Sequence, residues 1–338
     1  MSDKADQART AILKVLNELD GRPAGAAHIA ERLASGGVKL QPRTIRFYLL
    51  QLDQDGLTAF VSRRKGRMIT PAGREELGRA NVLDKVGFVQ AKVDTLSYRM
   101  SLNVESGTGA LITNVAMLRN RDLSRAFAEI KPVFERNLGM GNRLCVIPSS
   151  ETFAGHTVPG GYTGIGTICS VTLNGVLLAA GIPVTSRFGG LLEMREQRPV
   201  RFVELIEYAG TTVDPLEMYI RAGMTRVRDC ISTGNGIVGA SFREIPSLAM
   251  DHARILFKKM ETLDLGGVLS IGRPGQPLLD VPVSEGRTGF IVMGGLNPFA
   301  AIKEAGIACS LDSLSGLEQY ARFAPLDAVF RRYMNSLR

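Results

Sequence analysis

The chain has 338 residues, of which 45% are hydrophobic and 22% charged, so it can form two or three globular domains and is not a disordered polypeptide. No apolar run is long enough to span a membrane, the N-terminal residues are polar, and the four cysteines and three histidines are scattered. We therefore expect a protein of the reducing cytoplasm, with no membrane association, secretory signal, disulfide framework or metal site.

The positive charge is concentrated at the N-terminal end of the chain. The net charge is +8, and residues 1–80 hold 14 Lys and Arg against 9 Asp and Glu. This distribution is typical of a small basic module joined to a nearly neutral one.

Three short helices and a hairpin are predicted in this basic module. Apolar residues at helical spacing indicate helices over residues 3–19, 26–34 and 42–54. The segment LTAFVSRRKGRMIT, residues 57–70, predicts two short strands around a turn. This order is that of a winged helix-turn-helix, which we assign to residues 1–82.

The third helix and the hairpin carry cations that suit duplex DNA. Such a helix enters the major groove, while a cationic hairpin tip reaches phosphate or the minor groove. A solvated charge run on a protein-interaction module is the alternative, and RNA is a weaker competitor because no aromatic stacking platform is present. The residues that we expect to contact double-stranded DNA are Gln41, Arg43, Thr44, Arg46, Arg63, Arg64, Lys65 and Arg67.

A joint and a larger domain follow the basic module. A closing helix leads to a joint near residues 86–87. Residues 87–118 form two alternating segments around Ser106–Gly107, which predicts a β-hairpin. A helix bent at its proline is expected over 122–137, and a short buried strand over 143–148.

The rest of the chain alternates strands and helices and contains an internal echo. The stretch YTGIGTICSVTLNGVLLAAGIPV, residues 162–184, resembles RTGFIVMGGLNPFAAIKEAGIAC, residues 287–309, with a two-residue slip. Either this is chance similarity or two strand–helix units pack as pseudosymmetric halves. We assign residues 87–338 to one domain of the α/β (α+β) class.

The segment GTICSVTLNG, residues 166–175, holds small hydroxyls and a thiol in an apolar strand. A nucleophilic Cys169 would need a base, and His156 is 13 residues away with nothing to orient it. A buried, inert cysteine is the favoured interpretation. The glycines of residues 161–166 do not match a dinucleotide-binding motif.

The same polar groups suit a small-anion pocket. Hydroxyls and backbone N–H groups where strands lead into helices bind carboxylates or phosphates. Further polar clusters are YAGTTVD at residues 208–214, TGNG at 233–236 and the single cations Arg187 and Arg243. Individually these are explained by capping threonines, a hairpin turn and surface arginines; together they favour a pocket.

Several long motifs resemble the nitrogen regulatory repressors (NrpR) of methanogenic archaea. GTICSVTLNGVLLAAGIPV, YAGTTVDPLEMYI, TGNGIVGASFREIP, GGVLSIGRPGQPLLDVPV and MGGLNPFAAIKEAGI are similar to the effector domain of that family. RTIRFYLLQLDQDGLT and RRKGRMITPAGREEL are similar to its winged helix. The chain has one copy of the effector domain, whereas some members of the family carry two.

This resemblance implies a homodimeric, non-enzymatic repressor that binds operator DNA and releases it when 2-oxoglutarate binds, with no other cofactor. Two alternatives remain open: an enzyme that uses Cys169 and is held on DNA by the winged helix, and a DNA-binding dimer without a ligand. The effector-binding residues implied by the motifs are Thr167, Cys169, Ser170, Thr172, Arg187, Thr211, Thr212, Asn235 and Arg243.

Overall fold

The structure, a computed structural model, describes residues 2–19, 22–35, 37–80 and 87–335. The chain divides into two compact units, residues 1–86 and 87–338. Residues 81–86, where the joint and the end of the first domain were predicted, lie outside the described part.

The first unit is a winged helix. Its core is formed by apolar residues at helical spacing, among them Ile12 and Leu16 of the first helix and Ile45 and Leu49 of the third, all buried. The helices of this unit are α1 (Ser2–Glu18), α2 (Ala26–Ser35), α3 (Pro42–Gln54) and α4 (Pro71–Ala80), and the antiparallel strands of the wing are β1 (Thr58–Ser62) and β2 (Gly66–Ile69).

The wing is fastened to the chain just before α2. Ala24 and Arg67 exchange two backbone hydrogen bonds, of 2.8 and 3.0 Å. Gly66, with φ of +90°, lies so close that a Cβ atom there would be 2.1 Å from the carbonyl oxygen of Ala24. Only glycine accepts both the backbone conformation and this approach.

The second unit contains two five-stranded sheets covered by helices. The sheets have the orders β13-β3-β7-β4-β14 and β11-β12-β10-β8-β9, and their described pairings are antiparallel. The strands are β3 (Ala110–Arg119), β4 (Arg143–Ile147), β5 (Thr152–Phe153), β6 (His156–Thr157), β7 (Tyr162–Ile168), β8 (Thr185–Arg195), β9 (Arg198–Glu207), β10 (Gly236–Pro246), β11 (Val268–Ile271), β12 (Arg287–Met293), β13 (Cys309–Gln319) and β14 (Ala324–Pro325). The helices are α5 (Phe88–Arg99), α6 (Leu123–Glu135), α7 (Thr172–Ala179), α8 (Pro215–Arg221), α9 (Val227–Thr233), α10 (Met250–Thr262), α11 (Asn297–Glu304) and α12 (Leu326–Asn335).

The predicted β-hairpin over residues 87–118 is wrong in its first half. Residues 88–99 form α5, and only the second half is a strand. Val89, Val93 and Leu96 are buried together because they recur at helical spacing. The apolar alternation at the start of this segment is equally compatible with a strand, and its packing against α7 and β13 decides for a helix.

The two similar stretches belong to two structural halves that exchange strands and helices. Both stretches form the predicted strand and helix, β7–α7 and β12–α11. The halves are β3–α6–β4–β7–α7–β8, with the small hairpin β5–β6 inserted after β4, and β10–α10–β11–β12–α11–β13. The last strand of each half joins the sheet of the other half: β8 pairs with β10, and β13 pairs with β3. The helices exchange in the same way, since α11 packs against α6 and α7 against α10. The prediction of pseudosymmetric halves is confirmed.

The correspondence extends to the loops after α6 and α10. Asn137 and Asp264 both have left-handed backbone conformations, with φ of 55° and 56°, and each is followed by Leu-Gly.

Within the described residues, no helix is long and apolar enough to cross a membrane.

Candidate functional site

The winged helix presents its cations to solvent at two places. On α3, Arg43 and Arg46 are exposed, with Gln41 exposed just before the helix and Thr44 half-buried. In the turn between β1 and β2, residues 63–65 are all exposed. Five predicted DNA-contacting cations are therefore accessible, on the helix and at the tip of the wing.

Arg67 differs from these cations because it is engaged within the unit. Its Nε donates a hydrogen bond of 2.5 Å to Asp53, and its guanidinium lies 5.2 Å from the ring centre of Phe60. Its backbone also pairs with Ala24. The bond to Asp53 holds the wing against α3, and the backbone pairing holds it to the chain before α2.

Two of the predicted effector-binding hydroxyls join parts of the chain. Thr167 Oγ1 donates to the carbonyl of Gly295 at 2.8 Å, linking the two halves. Thr172 Oγ1 donates to the carbonyl of Ile112 at 3.0 Å and accepts from its N–H at 3.2 Å. Both side chains are buried, and their hydrogen-bonding capacity is used internally.

Cys169 is buried, and its thiol is hardly ionised at neutral pH. Burial raises the pKa of its thiol to about 12, so the thiolate is scarce at neutral pH. The arrangement gives no support to a nucleophilic role.

Arg243 on β10 is the most unusual polar residue of the second unit. Its side chain is only 1% exposed, and burial lowers its pKa to about 10. Nη1 donates to the carbonyl of Ser170 at 2.7 Å and Nη2 to its Oγ at 2.9 Å. In the described part of the chain, Nε has no hydrogen-bond partner and no carboxylate lies within ion-pair distance.

The strand register brings further polar groups to Arg243. Ser186 of β8 lies directly opposite it, and the Oγ of Ser186 accepts a hydrogen bond of 2.9 Å from Asn174 of α7. Ser170 lies just before α7 and Asn174 in its first turn, four residues apart. Arg243, Ser170, Ser186 and Asn174 therefore form one polar cluster, which we call the Arg243 cluster.

Several polar atoms of this region lack partners among the described residues. The Oδ1 of Asn174, which is 4% exposed, has none, and neither has the Oγ of Ser241, two residues before Arg243 on β10. Buried polar atoms are normally hydrogen-bonded. An orphan guanidinium nitrogen, amide oxygen and hydroxyl in one region can donate to and accept from a polar molecule.

Tyr208 and Asp214 contribute to the electrostatics of the cluster. Burial raises the pKa of Tyr208 well above its usual value, so the phenol stays protonated. Burial also raises the pKa of Asp214 to about 6, although its Oδ1 accepts hydrogen bonds from the N–H groups of Leu216 and Glu217 and caps α8. Arg243 interacts electrostatically with both side chains.

A cavity of about 390 Å³ borders the Arg243 cluster through Ser186. It is also lined by Arg187 and Arg287, which both pair with the buried Glu244, at 2.6 and 3.4 Å. None of Thr167, Cys169, Ser170 and Thr172 lines this cavity. Glu244 itself lines the cavity, and the other lining residues are Gln90, Val184, Thr185, Glu207, Ala209 and Ser284.

The remaining predicted residues lie elsewhere. Thr211 donates to the carbonyl of Tyr208, and Thr212 lines a separate cavity of about 190 Å³ beside Asp214. Asn235 is exposed at the opposite end of β10 from Arg243, where its side chain accepts from the N–H of Glu196. The TGNG segment there ends α9 at the left-handed Gly234.

Sequence reasoning overlooked Asn174, Ser186 and Ser241, and it marked Tyr208 and Asp214 only as part of the polar segment 208–214. Asp214-Pro215 is a recognisable helix start, but nothing in it indicates nearness to Arg243. Among the described residues, no group of three or more Asp, Glu, His and Cys side chains is placed to hold a metal ion. The arrangement is suited to binding an anion without covalent chemistry.

Comparisons with known proteins find two matching family models. The model of the NrpR regulatory domains NRD1 and 2 matches residues 86–325. The model of the ribonuclease R winged-helix domain matches residues 10–77.

Similar proteins occur in methanogenic archaea. The chain is 31% identical to the global nitrogen regulator NrpRI of Methanosarcina mazei, over 95% of this chain and 98% of that protein. It is 28% identical to the global nitrogen regulator NrpR of Methanococcus maripaludis, over 91% of this chain but only 53% of that protein. A crystal structure of a nitrogen repressor-like protein from Methanococcus jannaschii is 25% identical, with a TM-score of 0.60, and the similarity covers 70% of this chain and 97% of that one.

Proposed function

The chain belongs to the family of proteins with NrpR regulatory domains, and on this premise we propose that it is a nitrogen-responsive transcriptional regulator that acts as a repressor. It binds double-stranded operator DNA through the winged helix, as a homodimer, and it binds 2-oxoglutarate in the second unit. Ligand binding weakens DNA binding. No catalytic step is part of this function.

The observation that carries the ligand proposal is the buried guanidinium of Arg243. A charged group out of water is costly unless an opposite charge and full hydrogen bonding compensate it. Arg243 has two hydrogen bonds to Ser170 and no carboxylate partner in the described part of the chain. A carboxylate ligand would supply an opposite charge at ion-pair distance, nearer than Asp214, and an acceptor for Nε.

The neighbouring cavity offers a place for the second carboxylate of a dicarboxylate. Its lining carries Arg187 and Arg287 together with Glu207 and Glu244, so an anion there would compete with Glu244 for the two arginines. One carboxylate would bind Arg243, and the second would lie toward Arg187 and Arg287, which line the cavity next to Ser186. A molecule that joins the two regions would separate Asn174 from Ser186 and so disturb the contact between α7 and β8. Because α7 and β8 belong to one half and β10 to the other, such a disturbance acts on the packing of the two halves.

For 2-oxoglutarate to weaken DNA binding, it must bind the DNA-bound and DNA-free states of the protein with different affinities. A ligand shifts an equilibrium only by the difference in its affinity for the two states. A tenfold difference corresponds to about 1.4 kcal/mol, and useful regulation takes about 1–3 kcal/mol. The effect is reciprocal, so bound DNA must weaken 2-oxoglutarate binding by the same factor.

Isothermal titration calorimetry tests this proposal. The full chain is titrated with 2-oxoglutarate, alone and after saturation with a duplex selected for binding from a random pool. We expect binding in both cases and a weaker affinity in the presence of the duplex. Equal affinities would remove the regulatory part of the proposal, and an absence of binding heat would remove the ligand. Sedimentation analysis of the same sample tests the dimer.

A further inference from the structure

We infer that Phe47 and Leu50 of α3 read thymine methyl groups in the major groove, so that the operator contains thymine at defined positions of each half-site. This inference rests on the proposed DNA-binding function and extends it to sequence specificity. It concerns two apolar residues that are absent from the predicted set of DNA contacts.

The two side chains lie on a single stripe of α3. Residues 43, 47, 50 and 54 recur at intervals of four, three and four, which places them in line along one face of a helix. The opposite face carries the buried Ile45, Leu49 and Leu52. The stripe spans about 16 Å, at about 1.5 Å per residue. This length corresponds to about five base pairs at about 3.4 Å each.

Phe47 and Leu50 are exposed to an extent that the fold does not require. Phe47 is 58% exposed and Leu50 is 55% exposed, and they are neighbours one helical turn apart. A contiguous apolar patch on a surface can mark a binding site. Between the polar ends of the stripe, Arg43 and Gln54, they form its apolar centre.

The charges around the stripe suit a polyanion. Arg43 and Arg46 are exposed on the same helix. The two acids nearest its C-terminal end are already paired: Asp53 accepts hydrogen bonds from Thr58 and Arg67, and Asp55 pairs with Arg9. The exposed face of α3 therefore carries an apolar centre and two cations, while its nearby carboxylates are paired. This combination suits the negatively charged DNA better than it suits an ordinary protein surface.

The major groove offers an apolar target for such a centre. Of the four bases, only thymine presents a methyl group there, and phenylalanine is among the side chains that contact it. Arginine and glutamine at the two ends of the stripe suit guanine and adenine respectively. The stripe can therefore distinguish thymine by contact with its methyl group and fix the register by its polar ends.

Replacement of thymine by deoxyuridine provides the test, because it removes only the methyl group. Duplexes that bind the full chain are selected from a random pool, and their affinities are measured by fluorescence anisotropy with each thymine replaced in turn. We expect at least one position per half-site at which the replacement weakens binding about fourfold, the effect of burying one methyl-sized group.

The variants Phe47→Ala and Leu50→Ala identify the reader. Each variant should bind the thymine duplex more weakly than the wild type does. At one position it should bind the thymine and deoxyuridine duplexes equally well, so that the discrimination between them disappears there. Val61→Ala is the control, since Val61 is an exposed apolar residue of β1 outside the stripe, and it should retain the discrimination. All three side chains are exposed, so the core is unchanged.

Other outcomes separate this inference from the proposed function. If no duplex is selected, DNA binding itself fails. If duplexes are selected but thymine and deoxyuridine bind alike, or both stripe variants retain the discrimination, the inference is overturned while DNA binding stands. If Phe47→Ala leaves DNA affinity unchanged and lowers the sedimentation coefficient, the stripe is a protein interface and the inference is again overturned.

Discussion

Replacement of Arg243 by methionine separates ligand binding from stability. The substitution removes a charge that is 99% buried while keeping a long apolar side chain. It removes two hydrogen bonds to Ser170, each worth about 1.5–3 kcal/mol for a charged donor. It also removes the desolvation of the guanidinium, which costs several kcal/mol. The carbonyl of Ser170 still accepts from the N–H of Leu173 at 3.2 Å.

These opposing contributions nearly cancel, so we expect the stability of Arg243→Met without ligand to lie within about 2 kcal/mol of the wild type. The effect on binding is larger, because removing one partner of a buried charge pair costs about 2–5 kcal/mol, or about 30-fold or more in affinity.

Thermal unfolding with and without 2-oxoglutarate measures both quantities. At a ligand concentration of about 100 Kd, the wild type gains about 2.7 kcal/mol, which raises Tm by about 5 °C or more for a domain of this size. Arg243→Met should show almost no shift at the same concentration. Arg143→Met is the control: Arg143 pairs with Asp264 in the same unit, so its loss should lower Tm and leave the ligand shift intact. A full ligand shift in Arg243→Met would refute the assignment of the site.

Three further predictions concern pH, the wing and DNA. The pKa of Asp214 is raised from 3.8 to about 6. Its contribution to stability is therefore complete below about pH 4 and is lost as pH rises through about 6, a change of about 3 kcal/mol. Chemical denaturation across this range should show that change in the wild type relative to Asp214→Asn, which keeps a capping side chain, and parallel stability curves would contradict it. Gly66→Ala should destabilise the winged helix by more than about 2 kcal/mol, because its Cβ would meet the carbonyl of Ala24. Gly25→Ala, with open space around it, should cost no more than about 1 kcal/mol in the same melts, the cost of alanine at the start of α2. Replacing residues 63–65 by alanine should reduce the log–log salt dependence of DNA binding by up to about 2.7, at about 0.9 per phosphate contact; an unchanged slope in anisotropy titrations would show that the wing does not touch phosphate.

Local periodicity was sufficient to predict much of the fold. The winged helix was predictable because each of its helices buries one apolar face, as Ile45, Leu49 and Leu52 show for α3. The strand–helix repeat was predictable because residues 162–184 and 287–309 share their pattern. The α5 helix was missed because the spacing of Val89 and Val93 fits a strand as well as a helix.

The Arg243 cluster could not be assembled from sequence because it depends on long-range pairing. Arg243 meets Ser186 through the register of β10 with β8, and Ser170 through the packing of α7 on the other half. No spacing in the sequence indicates that the last strand of one half joins the sheet of the other. The prediction singled out Ser170 and Arg243 and left Asn174 and Ser241 unnoticed for this reason.

The proposed link between 2-oxoglutarate and operator binding is measured by fluorescence anisotropy of a selected duplex with the full chain at increasing 2-oxoglutarate. We expect the wild type to lose at least about fivefold in DNA affinity. Arg243→Met should bind the duplex as the wild type does without ligand and should not respond to 2-oxoglutarate. A wild-type affinity that stays constant over the whole range of ligand, or an Arg243→Met variant that responds fully, would disprove this link.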